Sequence, residues 1–179
     1  IIDNISSYKR SDLIRVMDTP AVLQLVGVKD LPIKMYVSKY FDMKTGAGKN
    51  NQHKTVTNKM WKQLPSALVD PIAIFPSKTV NGSIVVMTEI TDSNKKQSIV
   101  ALELSASVAN NITINRIKSF YTKDNASANT WFYNNFSDKN NPPLYINEQK
   151  TTRWFTRNGL QLPYQVNQSS GYFNKSIPN

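Results

Sequence analysis

The chain has 179 residues, which fits one domain with short tails and is long enough to bury a core without disulfides. Its 22 Lys and Arg against 12 Asp and Glu give a net charge of +10, which points to a polyanionic partner such as nucleic acid, or equally to an acidic protein. With no Cys and a single His, the chain excludes disulfides, iron–sulfur clusters, thiolate zinc sites and multi-histidine metal sites.

The N-terminal half predicts helices around one extended segment. We expect a lead segment over 1–18, then a helix over Pro20–Val26, an extended segment over Leu31–Tyr40 and a helix over Thr55–Leu64. Thr19 is the expected N-cap of the first helix, and Gly27 its expected end. Val56, Met60 and Leu64 share one face of the later helix, which is typical of packing against a core.

The C-terminal half predicts mainly antiparallel strands. Strands are expected over Ile72–Phe75, Ser83–Ile90, Ser98–Leu104, Ile112–Thr122 and Leu144–Ile146, with helices over Ala126–Phe136 and Glu148–Asn158. The polar turn Asp92–Lys96 joins two of these strands as a hairpin. The order of elements predicts an α+β domain over 19–163, followed by a polar tail over 164–179.

Three features of the sequence bear on how the protein is delivered. No apolar run reaches the roughly 20 residues that a membrane span needs, and no signal peptide is recognisable. The chain begins with Ile1 rather than Met, so we expect a processed chain or an excised module of a longer protein.

The loop over 44–51 contains the string Gly-Ala-Gly-Lys, which has some likeness to a phosphate-binding loop. The full Gly-x-x-x-x-Gly-Lys-Ser/Thr spacing and a preceding buried strand are both missing, so a surface loop is favoured. His53 follows this loop directly. Because unperturbed histidine titrates near pH 6.5, His53 is the best general acid or base in the sequence, although a surface histidine without a role fits the same pattern.

A polar face is expected along the strand that ends at Lys123. Residues two apart on a strand share a face, which would place Asn115, Ser119, Tyr121 and Lys123 together, with Arg116 and Lys118 on the opposite side. Hydroxyls and a cation suit a phosphodiester, since the cation neutralises the phosphate and the hydroxyls bond its oxygens. The alternative is the solvated face of an edge strand.

The last helix carries Lys150, Thr151 and Arg153, and Arg153 and Arg157 form a basic stripe at i and i+4. Trp154 and Phe155 fit core packing better than base stacking. Glu89 and Glu103 fall on paired strands and could face each other, which is unfavourable for like charges. No Asp-x-Asp pattern of a two-metal nuclease and no Gly-x-Ser-x-Gly elbow is present.

Several strings, in order, resemble one family over residues 19–163. They are His53 with Leu64-Pro65, Leu68-Val69-Asp70-Pro71-Ile72-Ala73-Ile74-Phe75-Pro76-Ser77, Ser83-Ile84-Val85-Val86-Met87-Thr88-Glu89, Ile114-Asn115-Arg116-Ile117-Lys118-Ser119-Phe120-Tyr121-Thr122-Lys123, Leu144-Tyr145-Ile146-Asn147 and Gly159-Leu160-Gln161-Leu162-Pro163. Together they resemble the C-terminal toxin-like domain of MuF-type phage head proteins, a domain that also occurs at the ends of polymorphic toxins. That family is assigned to the barnase–EndoU–colicin–RelE superfamily of metal-independent ribonucleases.

The resemblance implies N-terminal helices packed on a four- or five-stranded antiparallel sheet of barnase or RelE type. It implies an antibacterial toxin, delivered from a larger toxin or phage protein, that cleaves RNA in the cytoplasm of a target bacterium. The expected substrate is tRNA or another RNA, cut by attack of the 2′-hydroxyl to leave a 2′,3′-cyclic phosphate. A cognate immunity protein is the expected inhibitor, and no cofactor or metal is needed.

The same resemblance assigns roles to matching positions. His53 becomes the general acid or base, Lys123 the phosphate clamp, and Ser119 and Tyr121 hydrogen-bond donors to phosphate, with Tyr121 a second proton donor. It also implies substrate contacts from Tyr145, Thr151 and Gln161, and the polar strand face and the last helix add Asn115 and Arg153 as expected substrate contacts. Two alternatives stay open: a non-enzymatic nucleic-acid- or protein-binding module of a phage head or secreted protein, and an enzyme that modifies a nucleotide or protein.

Overall fold

A computed structural model describes residues 1–45, 56–123 and 128–163. Within them, seven strands form one sheet: β1 (Leu13–Met17), β2 (Ile33–Tyr36), β3 (Ala73–Pro76), β4 (Ser83–Thr91), β5 (Gln97–Val108), β6 (Ile112–Thr122) and β7 (Tyr145–Ile146). The helices are α1 (Ala21–Leu25), α2 (Val37–Thr45), α3 (Asn58–Val69), α4 (Ala128–Phe136) and α5 (Glu148–Arg157). The α+β class is confirmed. The prediction of four or five strands is wrong, because the described part of the chain has seven.

The strand order in the sheet is β1-β2-β6-β5-β4-β3-β7, so β1 and β7 lie at its edges. β1 comes from the predicted lead segment, where charged residues interrupt the apolar alternation, whereas β7 falls within the predicted strand Leu144–Ile146 and pairs over two residues with β3. All neighbouring strands are antiparallel except β2 and β6, which are parallel with Ile33 opposite Asn115. The hairpin of β4 and β5 is confirmed.

Helices cover both faces of the sheet. On one face, α3 buries Met60, Trp61, Leu64 and Leu68 against alternate residues of β4, β5 and β6. On the other face, α4 and α5 form an aromatic layer of Phe132, Phe136, Trp154 and Phe155. Central strands therefore bury both of their faces: Val86 and Val100 belong to the first core, whereas their neighbours Met87 and Ile99 belong to the second.

Local sequence signals set most helix ends. Thr57 caps α3 by accepting from the backbone N–H of Met60, and Asn147 caps α5 by accepting from that of Lys150. Gly159 follows α5 with a positive φ of 65°, as a helix end requires. Thr19 does not cap α1 with its side chain, because its hydroxyl instead donates to the carbonyl of Leu31.

One predicted extended segment changes conformation midway. The segment predicted over Leu31–Tyr40 is a strand only to Tyr36, and the chain then enters α2 directly at Val37. Val37 and Tyr40, which the strand pattern placed on opposite faces, are both buried in the first core because they lie one helical turn apart. No helix in the described ranges has the length and apolar character to cross a bilayer.

Candidate nucleic-acid interface

An extra residue in β6 determines which of its side chains face which core. Ala101 of β5 lies opposite Ser119, but the next residue, Leu102, lies opposite Ile117. Lys118 is therefore left over, as in a β-bulge. Because strand faces alternate residue by residue, one extra residue shifts the face of everything beyond it.

Beyond the bulge, the outward side chains of β6 line a groove on the α4 side of the sheet. This central groove has a volume of about 390 Å³ and is lined among others by Lys78, Lys118, Ser119, Tyr121, Lys123 and Trp131. Its described lining contains no Asp or Glu. The expected grouping of Ser119, Tyr121 and Lys123 is thus present, and Lys118 joins it from the face predicted to oppose it.

Asn115 lies before the bulge, and its predicted place on the same face is wrong. Its side chain is completely buried. Its amide nitrogen donates to the hydroxyl of Thr19 and to the carbonyl of Lys29, both at 2.9 Å, and its amide oxygen accepts from the backbone N–H of Ser105 at 3.1 Å. Asn115 therefore ties three chain segments together and has no surface to offer a substrate.

Lys123 is the central cation of the groove. Its ammonium lies 4.3 Å from the ring centre of Trp131 and 5.7 Å from that of Tyr121, close enough for cation–π attraction. Burial lowers the pKa of Lys123 and raises the pKa of the Tyr121 hydroxyl. Lys123 consequently releases a proton more readily than an ordinary lysine, while Tyr121 stays protonated and suits hydrogen-bond donation.

The other two lysines of the groove have carboxylate neighbours. Lys78 lies 2.7 Å from Asp138, and Lys118 lies 3.6 Å from Glu103. Within the described residues, Lys123 has no carboxylate oxygen within 4.0 Å. Of the three cations, Lys123 is thus the best placed to bind an incoming anion.

The wall of the groove also holds an unused hydroxyl. The Ser83 Oγ is buried and has no hydrogen-bond partner among the described residues. Buried polar groups normally have a partner, and an unpaired one costs free energy. Together with Ser119 and Tyr121, Ser83 lets the groove present hydroxyls beside its cations.

The other predicted substrate contacts that the structure describes do not line the central groove. Tyr145 packs against the first core, and burial raises the pKa of its hydroxyl. Thr151 is completely buried, and its hydroxyl donates to the carbonyl of Ile72 at 3.4 Å. Arg153 is exposed on α5, with its guanidinium 3.7 Å from Glu89, and Gln161 is exposed after α5. His53 and the Gly-Ala-Gly-Lys loop lie outside the described residues.

Glu89 and Glu103 each pair with cations. Glu103 accepts two hydrogen bonds from Arg116, which hold the pKa of that carboxyl below its usual range, and it lies opposite Ser83 rather than Glu89. Glu89 pairs with Lys150 at 2.8 Å. The idea that Glu89 and Glu103 face each other is therefore wrong. Within the described ranges, no three His, Asp or Glu side chains converge as a metal site.

Sequence reasoning missed the parts of the groove that come from other elements. Trp131 lies on α4 and Lys78 follows β3, and neither is periodic with β6. One sequence feature indicates the bulge. Ile117 and Phe120 both belong to the first core but lie three positions apart, which strict alternation along a strand does not allow.

The fold and the groove together define an α+β domain with a basic, hydroxyl-lined cleft on one face of a seven-stranded sheet. The family model described as the phage MuF C-terminal domain matches residues 45–153, which is more than half of the chain. The chain therefore belongs to the phage MuF C-terminal domain family. No curated protein and no solved structure matches it. The matched range contains all of the groove residues named above.

Proposed function

We propose that this domain is a metal-independent endoribonuclease of the toxin type, and that the central groove binds the phosphodiester that is cut. The observation that carries the proposal is the position of Lys123. It lies beside Tyr121 and Trp131 in a groove whose described lining has no Asp or Glu, on the same side as Ser119. A cation flanked by hydroxyl donors stabilises the extra negative charge of a pentacoordinate phosphorus.

The reaction needs only proton transfers and charge stabilisation from the protein. The RNA 2′-oxygen attacks the adjacent phosphorus, its proton passes to a base, the bond from phosphorus to the 5′-oxygen breaks, and that oxygen receives a proton. The product is a 2′,3′-cyclic phosphate, as in the superfamily that the family resemblance implies. Lys123 clamps the phosphate, Ser119 and Tyr121 donate hydrogen bonds to it, and His53 serves as the acid or base.

The biological setting follows from the same proposal. A phage-encoded or secreted parent protein delivers the domain into a bacterium, where it acts on RNA in the cytoplasm, with tRNA as the favoured target. A cognate immunity protein protects the producing cell. The net charge of +10 supports a polyanionic substrate of this kind.

The test is incubation of purified protein with total bacterial RNA in excess EDTA, followed by analysis of the 3′ ends. We expect discrete fragments that end in 2′,3′-cyclic phosphate. Lys123→Met, which keeps the apolar stem over Trp131, should lower the cleavage rate by roughly 10²- to 10³-fold, the usual loss for one transition-state donor. Lys9→Ala, which removes an exposed lysine before β1, should leave the rate unchanged.

RNA that stays intact while the protein is folded, cleavage that requires a divalent metal, or a fully active Lys123→Met variant would each contradict the proposal. Tight RNA binding without cleavage would instead support the non-enzymatic binding module, for which the net charge and the basic groove are also suited.

A further inference from the structure

A second basic groove lies on the other side of Lys123. This hairpin groove has a volume of about 320 Å³ and contains Lys95 and Lys96 from the β4–β5 turn, Lys123 from the end of β6, and Arg157 from the last turn of α5. Its described lining contains no Asp or Glu. Four cations from three elements thus converge on one cleft.

The cations are available to a ligand. In the described part of the chain, neither Lys95, Lys96 nor Arg157 lies within 4.0 Å of a carboxylate oxygen, in contrast to Lys78, Lys118 and Lys150. Uncompensated cations at close range repel one another, so a cluster of this kind is stabilised when an anion binds.

The turn that presents the two lysines is held in place. The buried carboxylate of Asp92 accepts from the backbone N–H groups of Asn94 and Lys96, both at 2.9 Å, and from the hydroxyl of Thr122 at 3.0 Å. Lys95 has a positive φ of 59°, an unfavourable backbone region for a residue with a Cβ. The turn is therefore fixed to the end of β6, next to Lys123, and its only described acid faces inward.

Lys123 belongs to both grooves, and its backbone N–H donates to the carbonyl of Gln97 at 2.9 Å. A ligand with one anionic group would fill one groove only. A ligand with regularly spaced anionic groups can run from one groove to the other across Lys123. Phe132 and Trp154 also line the hairpin groove, but both rings are buried in the second core, so the groove offers a ligand its cations rather than an aromatic face.

We propose that the hairpin groove is an extended substrate subsite that binds the phosphates of single-stranded RNA next to the scissile bond. The inference rests on the proposed RNA-directed function of the central groove and specifies its substrate: a single strand several nucleotides long, held through its backbone rather than by its sequence. A dinucleotide would reach the central groove alone.

The test compares the binding of two uncleavable probes at several salt concentrations, in protein that keeps Lys123 because this cation belongs to both grooves. The probes are a fluorescein-labelled dodecauridylate and the dinucleotide UpU, each with 2′-O-methyl groups in place of the attacking 2′-hydroxyls. Lys95→Ala combined with Lys96→Ala should reduce the slope of log K against log salt for the dodecauridylate by about 1.4, which is roughly 10- to 30-fold in affinity near 0.1 M salt. UpU binding should stay unchanged. Arg157→Gln alone should lower the same slope by about 0.7.

The matched control is Lys9→Ala combined with Lys29→Ala, which removes the same charge from exposed positions outside both grooves. An unchanged slope in the groove variants, or an equal loss in the control, would overturn the inference and leave an acidic protein as the occupant to test. Cleavage by the wild type is scored separately. A normal slope effect without cleavage refutes the ribonuclease alone, and cleavage without a slope effect refutes the subsite alone.

Discussion

At the scale of single residues, the same polar side chain can serve the fold or the substrate, and burial decides between them. The sequence pattern placed Asn115 with Ser119 and Lys123, since all three are polar and odd-numbered. The bulge at Lys118 separates them, and bulges depend on how two strands pair rather than on local composition. The place of Lys123 beside Ser119 and Tyr121 could be predicted because Lys123 directly follows a strand with a strong apolar pattern. Its contact with Trp131 could not, since Trp131 lies on a different element.

The first residue-scale prediction concerns Asn115. Asn115→Ala removes the partners of the Ser105 N–H and the Lys29 carbonyl, both held by hydrogen bonds to its side chain. We expect a loss of about 2–4 kcal/mol in the free energy of unfolding, because unsatisfied buried polar groups cost about 1–3 kcal/mol each. Urea denaturation measures the loss, and the exposed Asn141→Ala should change stability by less than about 0.5 kcal/mol. A stable Asn115→Ala variant that has lost RNA cleavage would show that Asn115 acts on the substrate after all.

At the scale of elements, the sequence predicted those helices and strands whose apolar residues recur with a regular spacing. The long strands β4 and β6, and the helices α3, α4 and α5, follow from their apolar spacing and their caps. β7 was predicted over Leu144–Ile146 and forms over Tyr145–Ile146. β1 could not be predicted, because a short edge strand is defined by its partner's hydrogen bonds more than by its own pattern. The switch from β2 into α2 has no breaker residue to mark it.

One charged side chain ties α5 to the rest of the sheet. The Lys150 ammonium lies 2.8 Å from both the Asp70 and the Glu89 carboxylates and donates to the Asp70 carbonyl at 2.7 Å. Burial alone would lower the pKa of Lys150, but the hydrogen bonds to Asp70 and Glu89 raise it overall. A lysine whose folded-state pKa is raised stabilises the fold below the unfolded-state value, and this contribution is lost as the pH rises through the folded-state pKa.

We therefore expect Lys150→Met to lower the free energy of unfolding by about 1–2 kcal/mol at neutral pH, a modest value because both carboxylates are half exposed to solvent. The difference from wild type should shrink once the pH passes about 10.5, the ordinary lysine pKa. Urea denaturation at neutral and alkaline pH provides the measurement, with the exposed Lys139→Met as control. A difference that grows at alkaline pH would contradict the assignment.

At the scale of the whole molecule, the sheet is a shared wall between two cores. Trp61 lies in the core under α3, whereas Trp154 lies in the core under α4 and α5. Adjacent residues of β4 and β5 point into opposite cores, so unfolding one core would expose the strands that bury the other. The sequence predicted the helices but not the faces that they cover, because a pattern of buried residues does not say which of two faces they serve.

This arrangement predicts a single cooperative unfolding transition. One variant with Trp131→Phe and Trp154→Phe retains Trp61 as its fluorophore, and another with Trp61→Phe and Trp131→Phe retains Trp154. In each variant, the urea midpoint from tryptophan fluorescence should coincide with the midpoint from far-UV circular dichroism. Midpoints that separate in either variant would show that the two cores unfold independently.

The parallel pairing of β2 with β6 also has a consequence for how the chain reaches its native state. The antiparallel pair of β1 and β2, which are connected through α1, joins the sheet through this one ladder, and its partner strand β6 comes far downstream, after most other elements. Closing so long a loop carries a large entropic cost that is recovered only after the distant contacts form. We therefore expect the pair of β1 and β2 to dock late in folding, and until it pairs with β6 one edge of β2 stays open to pairing with other chains.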